Sequence, residues 1–115
     1  MTAKTLYLSG PISGMPDHNR AMFTEVQRAL EAQGFTVVNP LEVTQEDTWT
    51  ECMRADIKAL VDCDGVVMLD GWEQSRGAQL EVHIAQALGM MVYSLAYAES
   101  VRRHAVLTYV ATTTW

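Results

Sequence analysis

Two acids and a phenol are the residues whose types and positions could support chemistry. Glu81 follows a short apolar run and a polar loop, near the start of a helical pattern, and helical side chains lean toward the N-terminus. Asp56 lies in an earlier helical stretch, beside the apolar positions Met53 and Ile57. An unpaired acid next to an apolar face is costly, so such positions carry a function more often than open surface acids do.

Tyr7 stands near the end of the first apolar run and completes this set. In a parallel α/β sheet, all three side chains converge at the carboxyl ends of the strands, where ligands bind. Two carboxylates and a phenol suit cleavage of a glycosidic bond, in which one acid meets the anomeric carbon and a second group handles the proton. The helix start is expected to keep Glu81 ionised, as a nucleophile must be. Each residue alone also has an ordinary structural explanation, so the hypothesis depends on the combination.

Alternating strands and helices must position these residues. Apolar runs predict strands at Thr5–Ser9, 35–39, 66–69 and 90–95, with an edge strand at 106–110. Helical spacing predicts helices that end at Gly34, that span Trp49–Val61, and that run from Gly77 to Gly89. This order predicts one domain over residues 1–115, an α/β fold with a doubly wound, mostly parallel sheet of 4–5 strands and helices on both faces, flavodoxin-like or Rossmann-like.

Finer expectations concern the helix faces and the connections. The third helix is expected to bury a stripe formed by Leu80, Ile84, Ala87 and Leu88, with Glu81 on its flank. The connection 41–48 is predicted to be polar and long enough to arch over the crevice. In the tail, Tyr109 and Trp115 are expected to pack against something such as a partner subunit.

The loop after the first strand is the clearest candidate for binding a substrate. It holds Gly10, Pro11, Ile12 and Ser13 within a stretch of two glycines and two prolines, which lets backbone approach a ligand. It lacks both GxGxxG and GxxxxGK[ST], so a dinucleotide or triphosphate cradle is not indicated. Either Asp17 or Asn19 is expected to cap the following helix, and Asn19 is also a candidate substrate-binding residue.

Length, charge and cysteine content limit what this chain is expected to bind and where it is expected to be located. The chain has 115 residues and a net charge of -6, which argues against binding polymeric DNA or RNA, although a helix start can still hold a small phosphorylated ligand. Cys52 and Cys63 form no CxxC and lie near no histidine cluster, so we expect reduced core cysteines and no metal site. No stretch is long and apolar enough for a membrane span or a signal peptide, and a cytoplasmic location is expected.

The same stretches resemble a known superfamily. The segments KTLYLSGPISGMPDHNRAMF, GFTVVNP and DCDGVVMLDGWEQSRGAQLE, together with Trp49, Met53 and Asp56, are similar to nucleoside 2-deoxyribosyltransferase-like proteins. They resemble most its short, phage- or prophage-type branch, a domain of unknown function, over about residues 4 to 95. The resemblance implies that Glu81 attacks C1′ of the sugar, that Asp56 assists proton transfer or sugar positioning, and that Tyr7 orients Glu81.

The resemblance also bears on the substrate. Members that hydrolyse 2′-deoxynucleoside 5′-monophosphates carry a serine six residues before the nucleophile, and the transferases acting on free nucleosides tend to carry an aspartate; here the position is Ser75. Those glycosidases hold the phosphate with a serine and an arginine in the first loop, where this chain has Pro11 and Ser13. Arg76 or Arg20 could supply the missing charge.

Several further residues are candidates for contact with the substrate. Trp72, in the loop after the third strand, is the preferred stacking residue for a base, ahead of Trp49 and Met15. Ser75 and Gly77 are expected at the phosphate end of the pocket, at the helix start.

Taken together, the sequence predicts an N-glycosidase or deoxyribosyltransferase of nucleoside 5′-monophosphates or nucleosides that needs no cofactor, with hydrolysis favoured over transfer. The resemblance further implies a homodimer or larger homo-oligomer. Two alternatives stay open: a non-catalytic nucleotide-binding module, and a glutamate-dependent hydrolase of NAD-like nucleotides.

Overall fold

The computed structural model describes residues 4–43, 47–97 and 105–110, which form one α/β layer structure. Five strands form a single sheet in the order β2-β1-β3-β4-β5. The strands are β1 (Thr5–Ser9), β2 (Thr36–Val38), β3 (Gly65–Met68), β4 (Met91–Tyr97) and β5 (Ala105–Val110). The first four pair in parallel and β5 pairs antiparallel with β4 at the edge. The predicted fold class is therefore confirmed.

Four α-helices in the described part of the chain connect or flank these strands: α1 (Arg20–Ala32), α2 (Pro40–Val43), α3 (Trp49–Val61) and α4 (Arg76–Ala87). The side chain of Thr48 caps α3 by accepting from the backbone N–H of Glu51, and that of Ser75 caps α4 by accepting from Ala78. The cap at Ser75 starts α4 one residue before the predicted Gly77. The predicted polar connection 41–48 is partly helical, since α2 follows β2 directly, while residues 44–46 are outside the described ranges.

Alternation along the strands divides the core between the two faces of the sheet. On one face, Leu6 and Leu8 of β1 pack with the buried residues of α1, including Phe23 and Leu30. On the other face, Tyr7 packs with Val66 and with residues of α3 and α4. Helix α1 thus covers one face, and α3 and α4 cover the other, which is the doubly wound arrangement.

The buried face of α4 differs from the predicted stripe. Leu80, Leu88 and Ala87 are exposed, whereas Ala78, Glu81, Val82 and Ala85 are buried. The periodicity was misread because the small residues Ala78 and Ala85, not the leucines, allow α4 to lie close to the sheet. As a result Glu81 sits within the buried row and not on its flank.

The topological switch point of the sheet, from which the connections lead to opposite edges, lies between β1 and β3. These strands are neighbours, with Ser9 opposite Met68 at their carboxyl ends. From β1 the chain passes through α1 to β2 on one side, and from β3 it passes through α4 to β4 on the other. A crevice opens at such a point in a doubly wound sheet.

Candidate active site

Strand β1 directs two hydroxyl groups toward α4. Tyr7 and Ser9 are both fully buried, and because they are two residues apart they share one face of the sheet. Tyr7 was predicted as a site residue, and Ser9 was missed. The period of two along β1 was the signal that could have identified Ser9, since any residue two positions from Tyr7 must project from the same face.

Glu81 receives both hydroxyls. The Tyr7 hydroxyl donates to Glu81 Oε2 at 2.5 Å, and Ser9 Oγ donates to Oε1 at 2.8 Å. The Glu81 side chain is only 4% exposed, so these bonds form in a low-dielectric environment where they fix the carboxyl strongly. Each carboxyl oxygen therefore has its own donor.

Burial raises the pKa of Glu81 to about 7, against the lowering effect of the Tyr7 and Ser9 hydrogen bonds, and the nearby Asp56 charge adds to the rise. The start of α4 was expected to keep this carboxyl ionised, and the raised pKa runs against that expectation. Glu81 lies in the second turn of the helix, and the dipole effect falls off within the first. Desolvation therefore dominates.

Asp56 lies in the buried row of α3 with Met53 and Leu60, and its side chain is 6% exposed. Among the described residues no partner reaches its buried Oδ1. Burial raises the pKa of this carboxyl to about 6. A buried acceptor without a partner has a high cost, and because Asp56 lines a cavity this oxygen is placed to accept a hydrogen bond from a molecule bound there.

Tyr7 keeps its proton near neutral pH and remains a hydrogen-bond donor there. Burial raises the pKa of its phenol, and the charges of Glu81 and then Asp56 raise it further. A phenol that does not ionise can only donate its proton to the carboxyl beside it. This is the property required of a residue that orients a carboxylate.

A cavity of about 580 Å³ opens at the carboxyl end of β1, above this cluster. Asp56 and Glu81 both line it, and Tyr7 lies behind Glu81, outside the lining. The structure thus brings the three predicted catalytic residues together. The volume is within the range typical of small-molecule sites.

The predicted substrate-binding residues divide into two groups. Six of them line the cavity: Gly10, Pro11, Ile12, Ser13, Ser75 and Gly77. Asn19 and Trp72 do not. Asn19 starts α1 but caps nothing with its side chain, whose Nδ2 donates to the carbonyl of Pro11 at 3.0 Å and so supports the loop from behind. Trp72 packs against the core on the α4 side of the sheet.

Trp49 takes the place expected of Trp72, because Trp49 lines the cavity from the start of α3. The guanidinium of Arg76 lies 3.9 Å from the centre of the Trp49 ring, a cation–π contact. Arg76 is the first residue of α4 and also lines the cavity, whereas Arg20 does not. Met15, the other stacking candidate, lies outside the lining. The tail aromatic Trp115 is outside the described residues.

Two glycines keep the cavity walls close together. A Cβ on Gly10 would lie 2.9 Å from the Cβ of Leu69, so the loop after β1 passes against the end of β3. A Cβ on Gly77 would lie 3.1 Å from the sulfur of Met53, where α4 approaches α3. A larger residue at Gly10 would push the loop away from Leu69, and one at Gly77 would push α4, which carries Glu81, away from α3, which carries Asp56.

The loop between β1 and α1 ends in an unusual turn. Asp17, His18 and Asn19 all have left-handed backbone conformations, with φ of 48°, 55° and 61°. These are the residue types that best tolerate that region. The turn places His18 in the cavity wall, a residue that the sequence did not identify as part of the site.

In residues 4–43, 47–97 and 105–110, no group of three or more His, Cys, Asp or Glu side chains is arranged to hold a metal ion. Within the same residues no helix has the length and apolar character needed to cross a membrane.

Comparison with known proteins places the chain in a family. A family model described as a domain of unknown function, DUF4406, matches residues 4–94. The chain belongs to the DUF4406 family. None of the curated proteins compared with it matches significantly.

Solved structures share the fold. A 2-deoxyribosyltransferase from Bacillus psychrosaccharolyticus superposes with a TM-score of 0.63 at 19% identity, over 78% of this chain and 70% of the other. A 2-deoxyribosyltransferase from Leishmania mexicana gives 0.64 at 21% identity, over 87% and 70%. The CMP N-glycosidase BcmB of Clostridium botulinum gives 0.60 at 23% identity, over 86% and 78%. At these identities the likeness concerns the fold.

Proposed function

We propose that this protein cleaves the bond between base and sugar in nucleoside 5′-monophosphates or nucleosides, through a covalent bond between Glu81 and the sugar. The observation that carries the proposal is the buried cluster in which Tyr7 and Ser9 hold both oxygens of Glu81 at the edge of a cavity. A nucleophilic carboxylate needs this kind of orientation. The neighbours' names support the same chemistry, since two are 2-deoxyribosyltransferases and one is an N-glycosidase.

In the first step, one oxygen of ionised Glu81 bonds to C1′ as the bond from C1′ to the base nitrogen breaks. The base leaves with that electron pair and takes up a proton. Protonated Asp56 is the proposed donor, because its raised pKa leaves it partly protonated near neutral pH. In its ionised form the same carboxyl can accept a hydrogen bond from a sugar hydroxyl.

The proton distribution between the two carboxyls limits this step. Burial raises the pKa of both carboxyls, to about 7 for Glu81 and about 6 for Asp56, so that the two share one proton near neutral pH. The step depends on the ratio of the form with this proton on Asp56 to the form with it on Glu81. Substrate binding that gives Asp56 a partner or brings a negative group to the cavity shifts this ratio.

In the second step, water attacks C1′ and releases the sugar, or an acceptor base attacks and receives it. The bond from C1′ to Glu81 breaks, and the ionised Asp56 takes up the proton that the attacking group loses. We favour hydrolysis, because the glycosidases that this chain resembles carry a serine six residues before the nucleophile, as this chain does with Ser75, whereas the transferases tend to carry an aspartate. An aspartate at that position would repel a phosphate, whereas serine does not.

A 5′-phosphate fits the N-terminal end of α4. Ser75 and Gly77 line the cavity there, beside the guanidinium of Arg76, and helix N-termini favour anions. Glu81 is the fifth residue after Arg76, which corresponds to a rise of about 7.5 Å along a helix, comparable to the span of a ribose from C1′ to its 5′ substituent. Pro11 and Ser13 also line the cavity but bring no charge. Arg76 therefore replaces the loop arginine expected in phosphate-binding relatives.

The test is chromatography of nucleosides, 5′-monophosphates and NAD after incubation with wild-type protein and with Glu81→Gln. The proposal expects free base with the wild type only, most rapidly from a deoxynucleoside 5′-monophosphate. Tight binding of a nucleotide without base release, unchanged by Glu81→Gln, would instead identify a binding module. Release of nicotinamide from NAD alone would identify a hydrolase of NAD-like nucleotides.

A further inference from the structure

Ser9 has two acceptors within reach but only one proton to donate. Its hydroxyl oxygen lies 2.8 Å from Glu81 Oε1 and 3.4 Å from the backbone carbonyl oxygen of Ala78. Ser9 is fully buried, so water cannot satisfy the hydroxyl when one of these acceptors is lost. The Ser9 hydroxyl can therefore donate to only one of these acceptors at a time, and when one is lost it must donate to the other.

Tyr7 has no such alternative. Its hydroxyl donates to Glu81 Oε2, and no second acceptor is found for it in the described part of the chain. An oxygen that becomes an ester oxygen loses most of its strength as an acceptor, whereas the carbonyl oxygen of an ester remains a good one. The oxygen held by Tyr7 is thus suited to remain as the carbonyl, and the oxygen held by Ser9 is the one whose donor can turn away.

We propose that Ser9 is a positioning residue that holds Glu81 Oε1 for attack and transfers its hydrogen bond to the Ala78 carbonyl when that oxygen loses its charge. This inference rests on the proposed function for its catalytic meaning. As Oε1 bonds to C1′, the bond from C1′ to the base breaks, and the base takes its electron pair and a proton. Oε2 becomes the ester carbonyl and keeps its bond from Tyr7.

The reverse exchange accompanies the second step. Attack of water or an acceptor base at C1′, with its proton passing to the Asp56 carboxylate, breaks the bond to Oε1, whose electron pair returns to Glu81 as carboxylate charge. Ser9 then donates again to Oε1 and stabilises the departing carboxylate. Removal of the Ser9 hydroxyl therefore slows the second step more than the first, and the covalent intermediate accumulates.

Protonation of Glu81 neutralises the carboxyl as esterification does, so the exchange can be tested without turnover. In the isotopically labelled full chain, carbon NMR follows the Glu81 carboxyl and the Ala78 carbonyl across pH. We expect both resonances to titrate with one midpoint in the wild type. In Ser9→Ala the Ala78 response disappears and the Glu81 midpoint rises by about one unit, because a donor to the charged form is lost.

Ser94→Ala is the matched control, because Ser94 aligns with Met68 and Met68 with Ser9 across the sheet. It should leave the Ala78 response intact, and chemical denaturation of both variants verifies that they fold. An Ala78 resonance that ignores pH in the wild type, or that titrates equally in Ser9→Ala, overturns the proposal.

Intact-protein mass spectrometry and rapid quenching supply the catalytic readout. With a substrate that the wild type consumes, Ser9→Ala should release base in a burst followed by turnover about tenfold slower, with a sugar adduct on the protein. If Ser9→Ala slows the burst of base release as much as it slows steady-state turnover, Ser9 has no particular role in the second step. If the wild type releases no base from any nucleotide, the proposed function fails, while the Ala78 titration still decides the exchange.

Discussion

Tyr7 and Glu81 are 74 residues apart in the chain and form a 2.5 Å hydrogen bond in the interior. The bond joins β1 to the second turn of α4 and fixes the carboxyl against a donor that does not ionise. Such a link between two rigid elements sets the direction of the carboxylate more precisely than a loop could.

Tyr7→Phe is expected to lower the rate of base release by about 10- to 100-fold with little change in nucleotide affinity, because the ring stays and only the orienting donor is lost. Steady-state kinetics and equilibrium binding measure the two effects separately. Tyr93→Phe is the control, since Tyr93 packs with the core on the α1 side of the sheet. A loss of affinity that matches the loss of rate would show that Tyr7 contacts the substrate instead.

Activity plotted against pH should give a bell-shaped curve whose two limbs have midpoints near pH 6 and pH 7. The raised pKa values of Asp56, about 6, and Glu81, about 7, belong to groups that must hold one proton between them in the productive form. The rate therefore falls at low pH as both protonate and at high pH as both ionise.

Asp56→Asn separates the two limbs. Without a second titrating acid, the high-pH limb should disappear, and the remaining activity should fall by about 100-fold or more if Asp56 donates the proton. A wild-type rate that stays level above pH 8 would assign Asp56 to sugar binding alone.

Stability should fall as pH rises. Burial raises the pKa of Glu81 from 4.5 to about 7 and that of Asp56 from 3.8 to about 6. For an acid whose folded pKa is raised, the penalty is absent below the unfolded pKa and complete above the folded pKa. The free energy of unfolding should therefore decrease between about pH 4 and pH 7, by on the order of 1 to 3 kcal/mol per group.

Denaturant unfolding at pH 5 and pH 8 measures this slope. Glu81→Gln should be more stable than the wild type at pH 8 and nearly equal to it at pH 5, because the amide has no charge to bury and fills the same volume. Glu51→Gln, at an exposed position of α3, should leave the slope unchanged. If Glu81→Gln is instead less stable than the wild type at pH 8, the hydrogen bonds of the carboxylate stabilise the fold by more than burial of its charge destabilises it.

Much of the fold could be predicted because strand and helix periods differ clearly in this chain. The apolar runs located β1 and β3, and a parallel sheet followed from the helices between them. What failed was the face of α4, where two leucines suggested the core, whereas the buried row consists of Ala78, Glu81, Val82 and Ala85. Periodicity shows where hydrophobic residues lie along a helix. It does not show how closely the helix can approach the sheet, which depends on where the small residues lie.

The site was less predictable than the fold. Tyr7, Asp56 and Glu81 meet because topology brings three elements to one edge, and resemblance already indicated them. Trp72 was misplaced because a position after β3 does not determine which face of the sheet a loop residue meets. Ser9 was missed although it follows Tyr7 by two residues in β1 and so shares its face of the sheet, because its acceptor Glu81 is 72 residues away in the chain.

Arg76 should decide between phosphorylated and free nucleosides. Arg76→Ala is expected to raise KM for a 5′-monophosphate about tenfold or more and to change KM for the nucleoside little, because only the former has a phosphate to bind. Arg54→Ala, which removes an exposed arginine of α3 that does not line the cavity, is the control. Equal changes for both substrates would assign Arg76 to the Trp49 stack and the base.

The exposed row on α4 predicts self-association. Leu80 and Leu88 are 36% and 60% exposed, and with the half-buried Ile84 they form one row along the helix, four residues apart. A fully buried leucine contributes about 1.5 to 3 kcal/mol, so a second copy packed on this row would gain appreciably from the contact.

Sedimentation at micromolar concentration should show a homodimer or larger assembly, and Leu80→Glu with Leu88→Glu should convert it to monomer without changing the circular dichroism. Met15→Glu introduces a charge at an exposed apolar residue of the β1–α1 loop, remote from the row in sequence, and should leave the assembly intact. If the wild type is a monomer, α4 exposes its leucines for another reason. If only the Met15 variant dissociates, the interface lies at the loop that borders the cavity, and catalysis should then depend on protein concentration.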